Sequence, residues 1–154
     1  MIKQKITPCV WIEKDAKTAA EYYLSIFKKG KLKSYQVYND VPAPGRNFDT
    51  ATVNLMGMDF QLLAAGPLFA FNESVSFVIT CKDQAEVDYY WESLTAQGGS
   101  EGPCGWVKDK YGLSWQVVPE VYFQLANHKN KATRQRALEA MLQMKKIMVA
   151  ELAD

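Results

Sequence analysis

The sequence predicts an α+β fold built from paired βαβββ modules and closed by C-terminal helices. Three observations carry this. Residues 7–26 (TPCVWIEKDAKTAAEYYLSI) recur as residues 75–94 (VSFVITCKDQAEVDYYWESL), with Lys14 answering Lys82 and Asp15 answering Asp83 at an offset of 68. Each half then closes on an echo, GMDFQLL at 57–63 and GLSWQVV at 112–118, which sets Gln61 against Gln116. Between helix and echo, both halves carry short β-rich runs broken by glycine and proline. Self-similarity of this kind marks a repeated supersecondary unit.

The elements follow in order. Residues 6–12 are apolar and β-rich and read as a strand. Asp15 is placed to cap a helix, since its carboxylate can accept from amides two or three residues on. Ala19, Tyr22, Tyr23, Ile26 and Phe27 fall at the spacing of one buried helical stripe, and Gly30 ends the helix. Residues 32–38 read as a strand. Residues 39–49, with Pro42, Pro44 and Gly45, form the longest irregular stretch, a candidate lid. Residues 50–56 and 59–65 make a hairpin.

Residues 66–73 link the halves. Residues 74–81 read as a strand with Val75, Phe77 and Ile79 on one face. Asp83 caps a second helix with the stripe Val87, Tyr90, Trp91, Leu94, stopped by Gly98 and Gly99. A short strand at 100–102 and a hairpin of 106–108 with 113–118 complete the unit, Asp109 and Lys110 shaping the turn. A short helix is expected at 121–126. A longer one is expected at 132–152, with Leu138, Met141, Leu142, Met148 and Leu152 packed and Arg134, Arg136, Lys145 and Lys146 solvated. The expected boundaries are 1–66 for the first module, 74–119 for the second and 120–154 for the tail, together one compact domain.

Composition narrows the function classes. The chain has 154 residues and a net charge of +1, so no global field draws it to nucleic acid or an anionic membrane. No apolar run reaches spanning length. Cys9, Cys81 and Cys104 are odd in number and lack CxxC spacing, which suits reduced thiols and a cytoplasmic location. The one histidine, His128, lies in a polar NHKNK stretch and reads as a surface residue; a two-histidine metal site within one chain is excluded.

The segments PCVWIEKDAKTAAEYYLSIF, FNESVSFVITCKDQAEVDYYW, CGWVKDKYGLSWQVVP and ALEAMLQMKKI resemble the PhnB-like proteins. These are also labelled the 3-demethylubiquinone-9 3-methyltransferase domain, within the vicinal-oxygen-chelate superfamily of glyoxalase and bleomycin-resistance proteins. The resemblance implies that fold, a cleft between curled sheets and a homodimer. It also implies His or Glu metal ligands on the first and last strands of each module. Carried onto this sequence, those four positions are Pro8, Gln61, Ser76 and Gln116, the repeat offset setting Pro8 against Ser76. Proline has no side-chain donor, and serine and glutamine bring no charge to offset dehydration of a dication. No metal is therefore expected.

No cofactor is expected either. S-adenosylmethionine enzymes of the usual kind use a glycine-rich loop after a strand, whereas Gly98, Gly99, Gly102 and Gly105 follow a helix and precede a hairpin. Cys104, among turn residues and without a histidine nearby, reads as a small buried thiol. Glu73 reads as a lone acid near the cleft mouth. Alternation puts Ser114 and Gln116 on one strand face, with Gln61 and Ser76 on other walls and Trp11, Phe69, Phe71 and Trp106 at the edges. Either the two glutamines bond each other, or they orient a small apolar or aromatic ligand in a neutral cleft. The leading expectation is a small-molecule-binding protein. The alternatives are a cofactorless or weak-metal enzyme, lyase- or isomerase-like or the methyltransferase of the family label, acting on a small carbonyl or aromatic substrate, or an interaction module using the C-terminal helix.

Overall fold

The computed structural model describes residues 4–39, 41–42 and 47–152. The chain folds as two compact units, Met1–Ala70 and Phe71–Asp154. The first contains β1 (Cys9–Ile12), α1 (Ala16–Ile26), β2 (Lys31–Tyr38), β3 (Phe48–Leu55) and β4 (Met58–Ala64), with sheet order β1-β4-β3-β2. The second contains β5 (Ser76–Cys81), α2 (Gln84–Thr95), β6 (Ser100–Glu101), β7 (Trp106–Lys108) and β8 (Ser114–Pro119), in the equivalent order β5-β8-β7-β6. In each unit the first and last strands pair in parallel and the others antiparallel. The α+β class and both βαβββ modules are thus as the repeat predicts.

Each helix covers one face of its own sheet. Helix α1 buries Ala19, Tyr22, Tyr23 and Ile26 on the side where Ala51, Val53, Leu55, Phe60 and Leu62 are also buried. Helix α2 buries Val87, Tyr90, Trp91 and Leu94 against the β7–β8 side that carries Val107, Trp115 and Val117. Cys81 belongs to this packed side and is fully buried; burial, with lesser contributions from the Glu86 and Asp83 carboxylates, pushes its thiol up to about 12. Because strand side chains alternate, the opposite face of each sheet stays free of its helix.

The two modules differ by one residue between strand and helix. Glu13–Lys14–Asp15 joins β1 to α1, whereas only Lys82 and Asp83 join β5 to α2. Asp15 absorbs the extra residue in a left-handed conformation (φ 58°) and still caps the helix, accepting from Thr18 N at 2.9 Å; Asp83 is extended and accepts from Glu86 N at 2.9 Å. The offset of 68 holds through the helices and becomes 69 in the strands, where Cys9 faces Gln61 as Val78 faces Gln116.

The tail packs within the second unit as α3 (Glu120–Ala126) and α4 (Lys131–Gln143). The continuous helix expected to residue 152 stops at Met144, which is extended. Tertiary hydrogen bonds outbid the helical pattern there. Cys104 N donates to Met144 O (2.8 Å), Gly105 N to Lys145 O (2.7 Å) and Val149 N to Gln84 Oε1 (2.7 Å), while Gln84 Nε2 donates to Ile147 O (3.3 Å). Ile147 and Leu152 are buried with Val118, and Met141 and Met144 pack beside them. Leu138 and Leu142, expected inside, are exposed. No helix among the described residues is long and apolar enough to cross a membrane. The candidate lid at 39–49 falls partly on residues outside those described, and its end already belongs to β3.

Gly105 has a φ of +81°, and a Cβ there would lie 2.8 Å from Val117 O and 3.0 Å from Ile147 Cδ1. Gly105→Ala should therefore cost about 2 kcal/mol, and Gln84→Ala about 1–2 kcal/mol through the lost bridge. Urea denaturation checks both; unchanged midpoints would contradict this account of the tail. Iodoacetamide at pH 8 should leave Cys81 unmodified in the native protein and label it in guanidinium. Mass spectrometry that finds native labelling of Cys81 would contradict its burial.

Candidate functional site

The free face of the second sheet carries a polar rung. Register places Ser76 of β5 beside Ser114 of β8, Ser114 beside Lys108 of β7, and Lys108 beside Ser100 of β6. Paired residues share a face, so three hydroxyls and one ammonium cross the sheet in line. The next rung holds Val78, Gln116 and Trp106. Gln116 ties the two rungs together, its Nε2 donating to Ser76 Oγ at 2.9 Å.

A cavity of about 450 Å³ opens over part of this face, lined by Glu73, Ser100, Glu101, Trp106, Lys108 and Ser114 among others. Ser114 is 1% exposed, and its Oγ meets no hydrogen-bond partner among the described residues. A buried hydroxyl is normally satisfied, so this one marks the cavity floor. Lys108 Nζ lies 2.5 Å from Glu73 Oε1. That contact holds the Glu73 carboxyl below its usual range, the Lys108 hydrogen bond being the largest cause. Glu73 is therefore not the lone acid the sequence suggested. Glu101 is turned the other way, accepting from Trp91 Nε1 at 3.0 Å with Lys145 Nζ at 3.8 Å.

Of the sequence candidates, Trp106 and Ser114 line the cavity, and Ser76 and Gln116 adjoin it through the rungs. Lys108, Ser100 and Glu101 were missed as site residues. The signal for Lys108 was alternation on β7, which puts it on the face of Trp106. Cys104 is half-buried, with φ 55°, and belongs to the turn that receives the tail. In the first module, Trp11 donates to Gly66 O at 2.7 Å and meets Phe69 edge-on, ring centroids 4.8 Å apart. Gln61 is exposed on β4. His128 is exposed in the loop before α4, its Nδ1 accepting from Asn130 N at 3.1 Å.

Pro8 requires correction. The offset of 68 sets it against Ser76, but the strand offset of 69 gives that place to Thr7. Pro8 precedes β1, shares the alternation of buried Val10 and Ile12, and contributes its carbonyl to Gln61 N at 2.9 Å. The side chain beside Gln61 is Cys9.

The fold family's divalent metal does not fit this donor set. Gln61, Ser76 and Gln116 are neutral, and the Gln116 amide is already engaged with Ser76. Among the described residues, no three His, Cys, Asp or Glu side chains gather as a metal site would need. A methyl-donor cofactor fits no better, because the strand-to-helix connections Glu13–Asp15 and Lys82–Asp83 contain no glycine. A shallower depression in the first unit, lined by Asp15, Lys17, Tyr35, Val37, Asn47, Phe48 and Asp49, includes none of the candidate residues.

Comparison with known proteins agrees with this architecture. Residues 4–118 match the family described as 3-demethylubiquinone-9 3-methyltransferase. The PhnB protein of Bacillus cereus, which carries the same label, is 30% identical with a TM-score of 0.64, over 75% of this chain and 99% of its own. A Pseudomonas aeruginosa protein is 20% identical with a TM-score of 0.59, over 77% and 98% of the two chains. The fosfomycin resistance protein FosX of Listeria monocytogenes is 15% identical with a TM-score of 0.58, over 83% and 100%, and shares the fold. No curated protein matches the chain. With its paired βαβββ modules and a match over most of its length, the chain belongs to the PhnB-like 3-demethylubiquinone-9 3-methyltransferase family of the vicinal-oxygen-chelate superfamily.

Proposed function

We propose that the protein binds a small molecule in the cavity on the free face of its second sheet, with Trp106 as the apolar platform and Ser114 as the polar anchor. The observation that carries this is the buried Ser114 hydroxyl, which has no partner among the described residues. Leaving such a group unsatisfied costs roughly 1–3 kcal/mol, a cost that a ligand hydrogen bond removes. The cavity's size of about 450 Å³ suits a small organic ligand. Sequestration is the simplest action of such a site. The enzymatic alternative asks Gln61, Gln116 and Glu73 to polarise a carbonyl or hold an enolate, but Gln61 is exposed on β4 and does not line this cavity, Gln116 donates to Ser76 and Glu73 pairs with Lys108. Binding is therefore the better-supported reading.

We also propose a homodimer. Strand β2 is a sheet edge, exposed along most of its length, with Leu32, Tyr35 and Val37 at 40–50% exposure. Such an edge is a template for pairing with a second chain.

A thermal-shift panel of aromatic fragments should stabilise the wild-type protein. Ser114→Ala should weaken the best compound roughly tenfold, and Trp106→Ala should abolish the shift. A panel with no stabilising compound would overturn the binding reading. Light scattering at micromolar concentration should give twice the chain mass; a monomer mass would overturn the dimer.

A further inference from the structure

Resting on that binding reading, we infer that the ligand is a monoanionic aromatic carboxylate, and that Glu73 is its built-in competitor for Lys108. The rung itself suggests this. Lys108 stands between Ser100 and Ser114, each directly across from it on a neighbouring strand. Directly opposed residues lie about 4.5–5.5 Å apart at Cβ. One ammonium flanked by hydroxyls is a receptor for a carboxylate, each oxygen finding its own donor. A carboxylate already occupies the ammonium, that of Glu73 at 2.5 Å.

Glu73 can leave at small cost. Its side chain is 63% exposed, so it moves into water rather than into an uncompensated buried state. The charge count then selects the ligand. Glu101, the other acid of the lining, has the Trp91 indole N–H at 3.0 Å and Lys145 at 3.8 Å to answer it. With Glu73 displaced, Lys108 offers one net positive charge. A monoanion matches it; a dianion brings a charge that nothing in the lining meets. Trp106 lies two residues along β7 on the same face as Lys108, about 7 Å away. That spacing lets a ring rest on the indole while its carboxylate reaches the ammonium. The Ser114 hydroxyl, without a partner among the described residues, donates to the second oxygen.

The test compares 2-naphthoate with 2-naphthamide, which share a shape and differ in charge. Titration calorimetry at fixed ionic strength measures both against wild-type, Glu73→Gln, Lys108→Met and Lys108→Gln proteins, with circular dichroism confirming the fold. Naphthoate should bind wild-type protein, bind Glu73→Gln roughly two- to fivefold more tightly, and be lost from both Lys108 variants. Naphthamide should bind more weakly and respond to neither change. Equal affinity for the two probes, or naphthoate binding that survives in both Lys108 variants, overturns the carboxylate assignment while leaving a binding site in place. An unchanged affinity in Glu73→Gln overturns the competitor role. Binding of neither probe overturns the assignment as well, and the fragment panel alone then decides the binding reading.

Discussion

The parallel pairing of first and last strand in each module is the constraint from which the rest follows. Two parallel neighbours cannot be joined by a tight turn, so the chain must cross over one face of the sheet. Helices α1 and α2 make that crossing and bury their apolar stripes on the way. One face of each sheet is thereby committed to packing against its own helix, and the other is left free of it. Alternation along β7 and β8 then sorts Val107, Trp115 and Val117 to the packed side and Trp106, Lys108, Ser114 and Gln116 to the free side. The chemistry of the site is a by-product of strand parity.

Stability and function part company on that free face. Asp109 shows what a satisfied buried polar group looks like here. Its carboxylate accepts from Tyr111 N, Leu113 N and Trp115 Nε1 at 2.9–3.1 Å, pinning the turn between β7 and β8. Ser114, one strand position away from that indole-bearing Trp115, is equally buried yet unmatched among the described residues. Two buried polar groups a few residues apart, one saturated and one without a partner among the described residues, separate the scaffold from the part of the sheet we propose as the binding face.

Much of this was legible in the sequence. The helices were readable because Asp15 and Asp83 precede stripes at helical spacing, and the hairpin of β7 and β8 because Asp109–Gly112 interrupts two apolar runs. The tail was not, because its break at Met144 depends on amides of Cys104 and Gly105 and on Gln84, all distant in sequence. The site was half legible. Ser114 and Gln116 follow from alternation, with Trp106 at the edge, but Glu73 reads as solitary and nothing in the sequence joins it to Lys108. Their pairing spans 35 positions and exists only once β5 and β7 flank β8 in one sheet.

The residue that separates the two strand-to-helix connections has a consequence of its own: the halves are no longer interchangeable parts. Residues 7–26 set in place of 75–94 would bring a helix that seats correctly, since Tyr22, Tyr23 and Ile26 fall where Tyr90, Trp91 and Leu94 are buried. The strand before it would arrive one step out of phase, turning Val10 and Ile12 towards the open face and Cys9 and Trp11 into the core. A single inserted residue thus separates two sheets that still look alike in outline, and lets each present side chains that the other could not adopt.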